Sequence, residues 1–128
     1  MLATQHHLHA DMAIAALEAG KSVWVEKPLA LTEADLKRVH RAALASTGVL
    51  CVGFNRRFSP LALKANASLQ QYSGPKHITY TINAGALPAD HWTLDPQRGG
   101  GRIVGECCHF IDFCRFLVGQ PCVKADTL

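Results

Sequence analysis

The hydrophobic pattern changes period several times along the 128-residue chain. Over residues 9–20, H-A-D-M-A-I-A-A-L-E-A-G, alanine is abundant and Ile14 and Leu17 stand at i and i+3. Gly20 follows as a stop, so the stretch predicts a helix. Val23-Trp24-Val25 is a short apolar run and predicts a buried strand. Residues 32–46 return to a helical period. Thr32 is placed as the N-cap, Glu33 and Asp35 lie in the first turn, and Leu36, Val39 and Ala43 share one face. Residues 49–54, V-L-C-V-G-F, predict a second apolar strand.

Helix, strand, helix, strand, with short connections and strands apolar on nearly every residue, is the pattern of parallel strands covered on both faces. From Ser59 the character changes. Ser59-Pro60 opens a helix, with Ser59 as cap and Pro60 at the first helical position. Residues 77–83, H-I-T-Y-T-I-N, alternate strictly and predict a half-exposed antiparallel strand. A loop over residues 85–101 precedes a last helix that stops at Gly119. The predicted fold class is therefore α/β. The change of character at Ser59 divides the chain into residues 1–58 and residues 59–128.

Composition narrows the function classes. Apolar residues make up 48% and charged residues 18%, which supports a packed core. A net charge of +3 with no Lys/Arg block gives no reason to expect nucleic acid. No apolar run approaches the roughly 20 residues of a membrane span, and the N-terminus lacks the features of a signal peptide. A cytoplasmic location is expected. The five cysteines, Cys51, Cys107, Cys108, Cys114 and Cys122, are odd in number and show no C-x-x-C spacing, which favours reduced thiols over a disulfide framework.

Several motifs fall short of the chemistry they suggest. Residues 15–22, A-x-x-x-x-G-K-S, approach a phosphate-binding loop, but a helix precedes them and a strand follows, the reverse of the required order. Gly99-Gly100-Gly101 does not have the G-x-G-x-x-G spacing of a dinucleotide fingerprint. His6, His7 and His9 cluster, yet no Cys or carboxylate is spaced to complete a zinc site, so no metal is expected. In the last helix Glu106, His109 and Asp112 recur at i, i+3 and i+6 as a polar stripe on an otherwise apolar helix. That stripe reads either as a solvated face or as a proton-carrying site built on His109. Ligands of parallel sheets gather at the carboxyl ends of the strands, where Glu26-Lys27 and Asn55-Arg56-Arg57 fall.

Taken in order, T-Q-H-H-L-H-A, A-L-E-A-G-K-S-V-W-V-E-K-P-L-A, G-F-N-R-R-F-S-P and W-T-L-D-P-Q-R-G-G-G-R-I-V-G-E-C-C-H-F-I-D span nearly the whole chain. As a set they resemble the Gfo/Idh/MocA family of NAD(P)-dependent oxidoreductases, which includes glucose–fructose oxidoreductase and inositol dehydrogenase. The resemblance implies an α/β fold in which residues 1–58 are the C-terminal part of a Rossmann-type parallel sheet and residues 59–128 the start of an α+β substrate domain. It implies an enzyme that moves hydride between NAD or NADP and a sugar-like or polyol substrate. It implies that Lys27, the E-K-P lysine, hydrogen-bonds the reacting oxygen and that His109 takes or returns the hydroxyl proton. Thr4, Gln5, His6, Glu26 and Arg56, together with Lys27, would line the cofactor cleft, with Gln5 standing where the family has proline. Trp92 and Asp95 would reach toward the substrate.

Many members carry an aspartate four residues before the helix histidine. Gly105 occupies that position here, and Glu106 is read as supplying the carboxylate. If it does not, the alternative is a non-catalytic scaffold or cofactor-sensing subunit. Family members also begin with a glycine-rich strand–loop unit, so the chain is read as the middle piece of a protein of about 330 residues or more. In isolation it is expected to be inactive and to bind NAD(P) weakly. Exposed strand edges predict self-association, and a homo-oligomer is expected.

Overall fold

The computed structural model describes residues 1–126. The helices are α1 (His9–Glu18), α2 (Glu33–Ala45), α3 (Pro60–Gln70) and α4 (Cys108–Val118). The strands are β1 (Val23–Val25) and β2 (Leu50–Val52). A single 3-10 turn, His6–Leu8, leads into α1, and a π-helical turn, Ile103–Cys107, leads into α4. The chain folds as two compact units. The first comprises Met1–Gly53 and Gly85–Cys108; the second comprises Phe54–Ala84 and the described residues from His109 onward.

The first unit has the α/β form that the apolar pattern predicts. β1 and β2 pair in parallel, with Val23 opposite Leu50, Trp24 opposite Cys51 and Val25 opposite Val52. On its other side β1 is bridged in parallel by Leu2, whose N–H donates to the Trp24 carbonyl (2.8 Å) and whose carbonyl accepts from the Glu26 N–H (2.9 Å). β1 is thus hydrogen-bonded on both edges, and Val23 and Val25 are buried. This is why the run V-W-V is apolar throughout rather than alternating.

α1 packs on both β1 and α2. Ala10, Ala13 and Val39 form the centre of the core, with Leu2, Ile14, Leu29, Ala30 and Leu50 packed around it. The small alanines of α1 let the helix approach its neighbours closely, and Leu17 fills the remaining space at 1% exposure. α1 ends where Gly20 takes a φ of 67°, a conformation that disfavours any side chain. The Thr32 hydroxyl caps α2, accepting from the Asp35 N–H (3.1 Å). Arg38 then bridges Asp35 (2.7 Å) and Asp11 (2.8 Å), tying α2 to α1.

In the second unit, Ser59 caps α3 by accepting from the Ala62 N–H (3.2 Å), with Pro60 at the helix start. α4 ends at Gly119, as its sequence predicts. The Arg57 guanidinium grips the Asp112 carboxylate in a bidentate pair, with Nε to Oδ2 at 2.6 Å and Nη2 on Oδ1.

The strand predicted over residues 77–83 does not form: the backbone there is irregular. The alternation survives only in part, since Tyr80 stacks on Phe110 (centroids 5.3 Å apart) and meets Phe113 edge-on (6.0 Å). A strand needs a neighbour to take its N–H and C=O groups, and no described residue supplies one. No helix among the described residues is long and apolar enough to cross a membrane.

Candidate functional site

The candidate site lies in the first unit, past the carboxyl end of β1. The strand delivers Glu26 and Lys27 there, and the Lys27–Pro28 peptide is cis. The half-buried Lys27 side chain has a defined partner: Nζ donates to the Gly105 carbonyl at 2.9 Å. The backbone N–H of Lys27 donates to Glu26 Oε2 (3.2 Å), which turns that carboxylate back along the chain.

The N-terminal segment reaches the same region. His6 is buried, and its Nδ1–H donates to the Gly99 carbonyl (2.8 Å). A carbonyl can only accept, so the proton of the neutral ring sits on Nδ1. The His6 ring meets Trp92 edge-on, with centroids 4.8 Å apart. Burial lowers the His6 pKa below its usual value, and the charges of Lys27 and His9 add to this, against the Gly99 hydrogen bond and Glu26, which raise it. Two further bonds join the segments. The His7 N–H donates to the Arg98 carbonyl (3.2 Å), and the Arg98 guanidinium donates to Gln5 Oε1 (3.3 Å).

His9 is fully buried at the start of α1. Its Nδ1 stands 2.8 Å from the Pro28 carbonyl and its Nε2 stands 3.1 Å from the Thr4 carbonyl. The ring therefore spans the loop after Leu2 and the loop after β1.

Each residue expected from sequence now has a position. Thr4 is exposed, and Gln5 is held by Arg98. His6, Glu26, Lys27 and Trp92 belong to the cluster just described. The Asp95 carboxylate caps its own turn, accepting from the N–H groups of Gln97 (2.8 Å) and Arg98 (3.3 Å). The Glu106 carboxylate accepts from Arg102 Nε (2.7 Å), and Arg102 also donates to the Gly85 carbonyl (2.6 Å).

Arg56 and His109 belong to the second unit. There Arg56 lies over the Phe110 ring (4.8 Å), and the His109 ring stands 6.2 Å from Phe54. Asp112, read from sequence as part of a polar stripe, is buried and paired with Arg57. Among the described residues no group of three His, Cys, Asp or Glu side chains could hold a metal ion. Cys51, Cys107, Cys114 and Cys122 are free thiols, and burial raises the Cys114 pKa.

Sequence reasoning weighed His9 only as part of a histidine cluster, and it did not single out the carbonyls of Gly99 and Gly105. His9 left a trace: a polar residue three positions from His6 at the mouth of an alanine-rich helix. A main-chain carbonyl leaves none, because every residue carries one.

Comparison with known proteins agrees with the α/β fold. Residues 1–54 match the family model described as an oxidoreductase family with an NAD-binding Rossmann fold, Gfo/Idh/MocA. Levoglucosan dehydrogenase of Pseudarthrobacter phenanthrenivorans is 33% identical over 93% of this chain and 32% of its own length. scyllo-Inositol 2-dehydrogenase (NAD(+)) of Bacillus subtilis is 35% identical over 93% of this chain and 34% of its own. A solved structure of levoglucosan dehydrogenase with NADH and levoglucosan superposes with a TM-score of 0.80 at 34% identity, covering 93% of this chain and 34% of that one. The WlbA dehydrogenase of Thermus thermophilus with NAD and UDP-GlcNAcA gives 0.79 at 27% identity, over 92% of this chain and 39% of that one. The chain thus spans about a third of the length of the relatives it matches.

Proposed function

The chain belongs to the Gfo/Idh/MocA oxidoreductase family, and from that premise we propose that it carries part of the site at which a sugar-like or polyol alcohol exchanges a hydride with NAD or NADP. The observation that carries the reading is the Lys27 ammonium, anchored past the carboxyl end of a buried parallel strand, where ligands of such sheets bind.

The residues present suit a nicotinamide dinucleotide in part. Thr4, Gln5, Glu26 and Lys27 offer a hydroxyl, an amide, a carboxylate and an ammonium, which match the hydroxyl and amide groups of a nucleoside. The sequence holds no G-x-G-x-x-G for the pyrophosphate. When bound, the nicotinamide supplies the hydride acceptor or donor. Lys27 donates to the reacting oxygen and favours the charge that develops on it. His109 takes the hydroxyl proton during oxidation and returns it during reduction. Trp92 flanks the substrate, and Arg56 belongs to the cofactor side. The division into a dinucleotide part, residues 1–58, and a substrate part, residues 59–128, belongs to the same proposal.

A non-catalytic scaffold is the second reading. It is favoured by the absence of a carboxylate at Gly105 and by the capture of Glu106 by Arg102. Turnover of polyols and anhydrosugars with NAD(P) separates the two. In the whole protein, Lys27→Ala and His109→Ala should each reduce kcat by about 100-fold or more, and His109→Ala should leave cofactor affinity near wild type. Unchanged turnover in both variants overturns the catalytic reading.

A further inference from the structure

Lys27 is the group the proposed reaction needs most, and a lysine side chain is long and flexible. Its end is fixed here by a neutral acceptor, the carbonyl of Gly105, at 2.9 Å. That carbonyl lies within the π-helical turn Ile103–Cys107. Turns of this width occur mainly as local interruptions of α-helices and gather at functional sites. A carbonyl oxygen has two lone pairs, so it can serve a helical N–H and still accept from the ammonium.

The residue is glycine for a reason of space. A Cβ at position 105 would stand 2.9 Å from the Gly99 carbonyl oxygen, 3.2 Å from His6 Cε1 and 3.3 Å from His6 Nδ1. None of these yields easily. The first is backbone, and the His6 ring is itself pinned to the Gly99 carbonyl at 2.8 Å. Meanwhile the neighbouring carboxylate, Glu106, is engaged by Arg102 at 2.7 Å.

We propose that Gly105 is a positioning residue for Lys27: its main-chain carbonyl, set in the π-turn, aims the ammonium, and its missing side chain leaves room for the His6 ring. The proposal rests on the reading of Lys27 as the group that touches the reacting oxygen. A neutral carbonyl orients the ammonium without cancelling its charge. One of the three N–H groups is used, and two remain for a ligand oxygen. Holding the side chain in place beforehand lowers the ordering cost that substrate binding would otherwise carry.

The test reads Lys27 itself rather than turnover. Limited acetylation of the 128-residue chain, followed by peptide mass spectrometry, gives the rate at each lysine. In Gly105→Ala, Lys27 should react about tenfold faster than in wild type, the change expected when one charge-assisted hydrogen bond is lost. Lys21, Lys37 and Lys64 should be unchanged. An unchanged Lys27 rate in a folded variant overturns the proposal.

Should all lysines accelerate together because the variant unfolds, the wild-type chain still decides. An ammonium hydrogen-bonded to a carbonyl exchanges slowly with water, so Lys27 Nζ should give a resolved nitrogen signal in lysine-labelled protein. Loss of that signal on Lys27→Arg assigns it, and its absence from wild type overturns the proposal. If Lys27 proves protected yet Lys27→Ala keeps full turnover in the whole protein, the positioning stands and the catalytic reading falls.

Discussion

The two units hold themselves together by different means. The first buries Ala10, Ala13, Leu17, Val23, Val25 and Val39 between two helices and a parallel sheet. Among its described apolar residues the second buries only Ala62 and Leu117, and it leaves Phe58, Leu61, Tyr72 and Ile111 more than half exposed. Its best-buried polar group is Asp112, clamped by Arg57. The first unit is thus an apolar core with a polar site at one end, whereas the second is an aromatic surface gathered around an ion pair. Hydrophobic burial is roughly proportional to the area removed from water, so the first unit draws the greater stabilisation from it. The apolar surface that the second leaves exposed is of the kind that ordinarily meets another chain or another segment.

One matched pair of substitutions breaks this comparison if it is wrong. Leu17→Ala removes a fully buried side chain from the first core and should cost about 3 kcal/mol. Trp24 and Trp92 both lie in the first unit, so tryptophan fluorescence during urea unfolding reads this loss directly. Asp112→Ala leaves the Arg57 guanidinium without its carboxylate. Losing one partner of a fully buried pair costs roughly 3–5 kcal/mol, and the partial exposure of Arg57 brings the expected figure to about 2 kcal/mol. Hydrogen exchange over residues 54–84 should report it. A larger effect from Asp112→Ala than from Leu17→Ala would reverse the assignment of forces.

The helix caps sharpen the same comparison at a smaller scale. Thr32 and Ser59 make the same bond, a hydroxyl accepting from an N–H three residues on, at 3.1 Å and 3.2 Å. Each change to alanine should cost about 1 kcal/mol at its own helix. α2 is locked to α1 through Val39 and Arg38, so the loss from Thr32→Ala should appear in unfolding of the first unit as a whole. α3 buries only Ala62, so the loss from Ser59→Ala should appear as faster exchange confined to residues 60–70. Equal spreading of both effects would show that the second unit is as cooperative as the first.

How much of this could be read in advance also divides along the two units. In the first, the alanine-rich helix, the V-W-V run and the Thr32 cap all specify local structure that the packing then uses, so period and capping chemistry were sufficient. In the second, the alternation over residues 77–83 reads as a strand, but a strand also requires a partner, which no period in the segment itself can announce. Asp112 shows the same limit. Its spacing puts it on a polar stripe, whereas its burial follows from Arg57, 55 positions away. At the candidate site, Lys27 could be singled out because a charge at the end of a buried strand is unusual. The carbonyls that hold Lys27 and His6 could not, because a backbone acceptor has no signature in the side-chain sequence.

The smallest predicted effect concerns His6. Its folded pKa lies below the ordinary value of about 6.5, chiefly because the ring is buried. Below pH 6.5 the unfolded chain therefore binds a proton at His6 more readily than the folded chain does. Stability should be complete above that pH and should decline as the pH falls from about 6.5 toward the lowered folded value, then level off once both states are protonated. His6→Asn removes the titration while its amide N–H keeps a donor near the position of Nδ1, so the bond to the Gly99 carbonyl has a replacement. The difference in melting temperature between wild type and His6→Asn, followed from pH 7.5 to 5 by tryptophan fluorescence, isolates His6 from the other histidines. Wild type should lose more stability than the variant across that window. A difference that stays flat with pH would mean that the ring accepts its proton as easily in the folded unit as in the open chain, and that the seal formed by His6, Trp92 and Gly99 admits water.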